Sequence, residues 1–210
     1  MSCLHSLPRR AKWPVELATE IIAAYAKLGG DTRVAVRSSG TSEDTGGTSF
    51  AGMNASFTNV AGQAQVLGRV VDSWASIYGK RVISYRAAAG LTEEPSLAVV
   101  VQQMIPSDAS GVIFTADPTT EATDRLVIET VFGQGEAIVS GRVEPDTYVV
   151  LKDGPTLASV RIGHKAMKIV RNSAGEDNEV ALTAEEGAGR VLDDAQILAV
   201  ARLALAVEKH

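Results

Sequence analysis

Five short β-branched runs follow one another after Pro95, and no other feature restricts the fold as strongly. LAVVVQQMI (97–105), GVIFTAD (111–117), RLVIETV (125–131), DTYVVLK (146–152) and LASVRIG (157–163) have strand length and are separated by Gly, Pro, Asp or Ser. Asp153-Gly154 is a hairpin signal between the last two, and KAMKIVR (165–171) adds a further strand before a polar loop at 172–179. Helical spacing brackets this cluster. Leu17, Ile21, Tyr25 and Leu28 share a face, with Pro14 at the first helical position and Gly29-Gly30 as the stop. Residues 33–37 read as a short strand. Val66, Val70, Trp74 and Ile77 predict a helix over 63–78, followed by the basic, helix-compatible KRVISYR. At the far end Thr183 with Glu186 fits a capping box, and Asp193-Asp194 precede Ile197, Val200, Ala204 and Val207. Helix, strand, helices, a strand cluster and then helix predict an α+β fold with a largely antiparallel sheet.

The chain has 210 residues, of which 45% are hydrophobic, enough for one domain or two small subdomains with a sizeable core. A net charge of −5 and an aromatic content of 5% argue against a nucleic-acid surface or base-stacking platforms. Cys3 is the single cysteine, which excludes an intramolecular disulfide and a cysteine-built zinc site. There is no apolar run of about eighteen residues, and MSCLHSLPRRAKWP lacks the apolar core of a signal peptide. The expectation is a cytoplasmic protein with neither membrane nor nucleic-acid partners.

The stretch VAVRSSGTSEDTGGTSFAGMNASFTNV (34–60) carries more glycine and hydroxyl residues than a turn requires. Glycines let backbone N–H groups approach an anion, Ser and Thr add donors, and the Arg37 fork can grip phosphate oxygens. Together these describe a phosphate cradle. The other reading is a surface loop in which Arg37 pairs with Glu43 or Asp44, and no GxxxxGK[ST] motif decides between them. VVVQQMI can present main-chain groups to an adenine edge with Met104 and Ile105 packing on its faces, or it can be a core strand. GQGEAIVSGRVEPD (133–146) reads as a loop near a nucleotide or as a tight turn between strands. Glu129 faces either a ligand or solvent. His5, His164 and His210 have no metal-ligand or triad spacing.

Jointly, "AVRSSGTSEDTGGTSFAGMNASFTNV", "VVVQQMIPSDASGVIFTADP" and "GQGEAIVSGRVEPD" resemble the ATP/PEP-binding domain shared by phosphoenolpyruvate synthase, pyruvate phosphate dikinase and rifampicin phosphotransferase. The three signatures occur in order over roughly residues 30–210. The resemblance implies an ATP-grasp-like α+β fold, mostly antiparallel sheet with flanking helices, incomplete at both ends. Residues 1–30 become an N-terminal segment and helix, and 31–210 a partial nucleotide-binding domain. Arg37 becomes the phosphate-contacting arginine of the RSS motif, and Gly52, in SFAG, the backbone position against the phosphates. Ser56 stands where the family often has a threonine near the same phosphates. Gln103, with Met104 and Ile105, matches the adenine-contacting segment. Gly40 replaces the family's usual alanine, and TGGTSF departs from LPDASF; neither change removes an essential group.

The resemblance further implies ATP and Mg²⁺ as cofactors, with phosphate passing from ATP to a carrier histidine in the intact enzyme, and then to pyruvate or an antibiotic hydroxyl. The family's phosphate-binding lysine lies upstream of the RSS motif, and its metal-binding glutamate in a YGxPQDIEWA motif downstream. Neither is matched here, so no catalytic residue or metal ligand is assigned, and the expectation is a chain inactive by itself. The first reading is the ATP-binding portion of a dikinase-type phosphotransferase. The alternatives are a non-catalytic nucleotide-binding module, a truncated remnant, or one subunit of a split enzyme whose partner polypeptide supplies the histidine and substrate domains.

Overall fold

The computed structural model describes residues 13–40, 44–45, 48–49, 56–88, 90, 96–172 and 175–210. Two compact units divide the chain, Met1–Ile105 and Pro106–His210. Mixed helices and antiparallel strands make it an α+β, ATP-grasp-like fold.

The first unit opens with helix α1 (Val15–Lys27), and Pro14 sits at its N-cap, one position before the helical turn proper. Gly29 follows the helix at φ 96°, a left-handed conformation that suits glycine and ends the helix as the sequence predicts. Strand β1 (Val34–Gly40) then leads to a two-residue hairpin, β2 (Asp44–Thr45) with β3 (Thr48–Ser49), and to β4 (Ser56–Val60). Helices α2 (Gln63–Ser76) and α3 (Lys80–Ala88) precede β5 (Leu97–Gln103). β1 lies between β4 and β5, antiparallel to both.

Strand alternation gives this sheet one dry face. Val34 and Val36, with Phe57, Val99 and Val101, pack against Val66, Val70 and Trp74 of α2 and Tyr25 and Ile21 of α1. Each fully buried aliphatic side chain contributes about 1.5–3 kcal/mol relative to exposure. The Tyr25 hydroxyl donates to the Thr32 carbonyl at 2.7 Å and accepts from the Gly62 N–H at 3.0 Å, tying α1 to the entry of α2.

The second unit is built on a four-stranded antiparallel meander of β6 (Ala109–Phe114), β7 (Arg125–Phe132), β8 (Asp146–Leu151) and β9 (Thr156–Arg161). A short helix, α4 (Glu136–Val139), connects β7 to β8. β10 (Met167–Arg171) pairs with β11 (Asp177–Ala181), so the predicted polar loop at 172–179 gives way to a strand from Asp177 onward. Helices α5 (Ala184–Ala188) and α6 (Asp194–Glu208) close the unit. Leu126, Ile128, Tyr148 and Val150 of the meander form a core with Ile197, Ala201 and Ala204 of α6. Both predicted helix starts carry complete capping boxes, Thr183 with Glu186 and Asp193 with Gln196. No described helix is long and apolar enough to cross a membrane.

Candidate functional site

Opposite the dry face, the β4-β1-β5 sheet presents a polar one. β1 runs from buried Val34, Ala35 and Val36 to exposed Arg37, and the pairing with β4 shifts register between Val34 and Val36. A bulge at a strand end commonly re-aims side chains. Arg37 stands directly opposite Ser56 on one side and Val100 on the other, so all three share a face. Alternation adds Ser39, Thr58, Ala98 and Gln102 to that face. The Arg37 Nη1 donates to Gln102 Oε1 at 3.3 Å. The arrangement is a guanidinium fork with hydroxyls across the neighbouring strand, a chemistry suited to an anion's oxygens.

Edge strand β5 supplies a second element. The Met104 N–H donates to the Arg33 carbonyl at 2.8 Å. In an antiparallel ladder the next residue turns its main-chain groups the other way, so Gln103 directs its N–H and C=O away from β1, towards the outer edge of the sheet. Its side chain lies on the Val34 face, opposite the one bearing Arg37. Met104 is half-buried, and Ile105 is 72% exposed.

Of the residues singled out from the sequence, Arg37 and Ser56 therefore come together, and Gln103 lies at the edge of the same sheet with its main chain outward. Gly52 lies outside the described residues, as do the side chains of Glu43 and Asp44, the partners of Arg37 in the surface-loop reading. Gln102 was missed: the two adjacent glutamines differ only in strand phase, and the register identifies which one meets Arg37.

In the second unit, GQGEAIVSGRVEPD forms the β7–α4–β8 connection. Gly133 has φ 74°, and a Cβ there would fall 2.2 Å from the Ile169 carbonyl oxygen, so the close bridge to β10 requires glycine. The three acidic residues do not converge. Glu136 is exposed, Glu144 pairs with Arg161 at 2.6 Å, and Asp146 is fully buried. Asp146 accepts from the Lys165 ammonium, the Gly163 N–H at 3.0 Å, the Val191 N–H at 2.8 Å and the Tyr148 hydroxyl at 3.0 Å. Burial pushes the Tyr148 phenol up. Every acceptor direction of the carboxylate is used internally, which makes the cluster a structural anchor. Glu129 is half-buried opposite Val112 and Thr147, and His164 is exposed. Among the described residues no three His, Cys, Asp or Glu side chains gather to hold a metal.

The chain matches the family described as pyruvate phosphate dikinase, AMP/ATP-binding domain, over residues 3–210. It is 42% identical over 192 residues to a probable phosphoenolpyruvate synthase of Archaeoglobus fulgidus, covering 89% of this chain and 25% of that protein. It is 44% identical over 162 residues to a phosphoenolpyruvate synthase of Aeropyrum pernix, covering 74% and 20%. A rifampicin phosphotransferase of Streptomyces sviceus is 38% identical over 196 residues, covering 93% and 22%. The chain thus spans a quarter or less of the length of these relatives.

Proposed function

The chain belongs to the pyruvate phosphate dikinase AMP/ATP-binding domain family, and from that premise we propose that it binds ATP on the open face and outer edge of the β4-β1-β5 sheet. Arg37 contacts the phosphates, with the Ser56 hydroxyl opposite it, and the resemblance to the family gives Gly52 a main-chain contact to the same phosphates. The outward N–H and C=O of Gln103 meet the adenine edge, with Met104 and Ile105 against the base. The observation that carries this reading is the register that sets Arg37 opposite Ser56 while β5 remains the outermost strand of the same sheet.

In the whole protein, we propose, the bound ATP gives up a phosphoryl group to a carrier histidine, as in a phosphoenolpyruvate synthase, with pyruvate or an antibiotic hydroxyl as the final acceptor. In such transfers catalysis consists mostly of positioning and charge stabilisation. The part assigned to this chain is the first: an arginine fork and hydroxyls fix the phosphates while an edge strand fixes the base. Mg²⁺ accompanies ATP in this chemistry, held by the phosphates themselves and one or two carboxylates; among the described residues no three His, Cys, Asp or Glu side chains gather to hold a metal.

Isothermal titration with ATP, GTP and adenosine tests the site. ATP is expected to bind and GTP to bind more weakly, because the edge of one strand discriminates the two bases. No ATP binding at millimolar concentration, or equal binding of ATP and GTP, would overturn the assignment.

A further inference from the structure

Arg37 is exposed, and a free arginine side chain samples many rotamers that must be given up when its fork grips a ligand. Here a neighbour restrains it. Gln102 lies two residues along β5 from Val100, which faces Arg37 directly, so the two side chains are diagonal neighbours on one face. The Nη1–Oε1 hydrogen bond is 3.3 Å long. A guanidinium only donates, so the amide oxygen must be the atom facing Arg37, and the amide's two N–H donors point elsewhere. The amide is also neutral. It orients the fork without cancelling its charge, whereas a carboxylate in the same place would compete with an incoming anion.

We propose that Gln102 is a positioning residue, holding the Arg37 guanidinium on the open sheet face in readiness for nucleotide phosphates. The proposal rests on the ATP reading above and adds to it the residue that prepares its arginine. It predicts a pattern that a general contribution to folding would not produce. Loss of the amide affects ligands with phosphate and spares those without. It matters only while Arg37 is present. Changing the amide to a carboxylate is worse than removing it, because Glu would pair with Arg37 and neutralise it.

The test is isothermal titration of the full chain with ATP and with adenosine, for wild type, Gln102→Ala, Gln102→Glu, Arg37→Ala and the double variant Arg37→Ala/Gln102→Ala. Circular dichroism melting checks that each is folded. Gln102→Ala is expected to weaken ATP about fivefold with adenosine unchanged, in keeping with one hydrogen bond to a charged group at an exposed site. Gln102→Glu should weaken ATP further, and Gln102→Ala should have no added effect in the Arg37→Ala background. Equal losses for ATP and adenosine, an undiminished effect without Arg37, or unchanged ATP affinity in Gln102→Ala would each overturn the positioning role while leaving the ATP site standing. A wild-type chain that binds no ATP would overturn both.

Discussion

Arg37 and Ser56 occupy opposed positions on neighbouring strands, the spacing on which the proposed phosphate contact rests. Replacing Arg37 by Ala should weaken ATP about tenfold or more, the scale of a lost charge-assisted contact, and leave adenosine unaffected. Titration of both ligands separates this from misfolding: equal losses would mean that Arg37 acts through the sheet and not through phosphate. The strand end at Arg37 was legible in the sequence, and the hydroxyl and glycine residues after it suggest an anion cradle, with a surface loop as the other reading. The placement of Gln102 beside Arg37 was not. Two consecutive glutamines look alike in a sequence, yet alternation sends them to opposite faces, and the phase is fixed only when Gln102 is seen opposite Ala35 and Gln103 opposite Val34. Asp146 was also hidden. It reads as one of three acids in a polar connection, and only the fold shows that it is the buried one.

Elements with a clear hydrophobic period were readable, and those without one were not. The runs after Pro95 all form strands, within a few residues of their expected ends. β11 escaped notice because DNEVA is exposed along most of its length, so no alternation marks it; its pairing with β10, from Met167 opposite Ala181 to Arg171 opposite Asp177, defines it instead. α4 has four residues, too few for a helical repeat to show. Helix starts were legible because caps are local chemistry. Asp193 accepts from the Gln196 N–H at 2.8 Å, and Asp193→Ala should cost about 1 kcal/mol in urea denaturation. The Glu186 carboxyl is held below its usual range by the hydrogen bonds of the Thr183 N–H and hydroxyl. A depressed carboxyl stabilises the fold above its unfolded-state value, and that contribution is lost as pH falls through the folded-state value. Glu186→Gln should therefore remove this acid-range loss while lowering stability at neutral pH. An unchanged slope of stability against pH below the usual glutamate range would show that the capping box does not contribute.

Across the second unit, one buried ion pair joins segments far apart in sequence. Asp146 begins β8, Gly163 and Lys165 lie between β9 and β10, and Val191 precedes α6, so a single carboxylate holds three parts of the unit together. Gly163 is required there because a Cβ would fall 2.3 Å from the Glu144 and Pro145 carbonyl oxygens. The Lys165 ammonium also donates to the Gly163 carbonyl at 2.9 Å and lies 5.6 Å from the centre of the Phe132 ring. Isolated buried ion pairs contribute little net stability, and replacing both members with apolar groups is often neutral. This one differs, because Asp146 also satisfies two backbone N–H groups and the Tyr148 hydroxyl, which an apolar substitute would leave unpaired. Asp146→Ala should therefore cost about 3–5 kcal/mol, since it strands a buried ammonium. The double change Asp146→Ala/Lys165→Met should recover only part of that loss, because the donors of Gly163, Val191 and Tyr148 stay orphaned. Urea denaturation measures the cost, and hydrogen exchange on residues 146–151, 162–166 and 190–197 locates it. A double variant as stable as wild type would show that the cost of Asp146→Ala comes from the stranded ammonium alone, and not from losing the carboxylate as a shared acceptor. That result would remove the physical reason for an aspartate at this position.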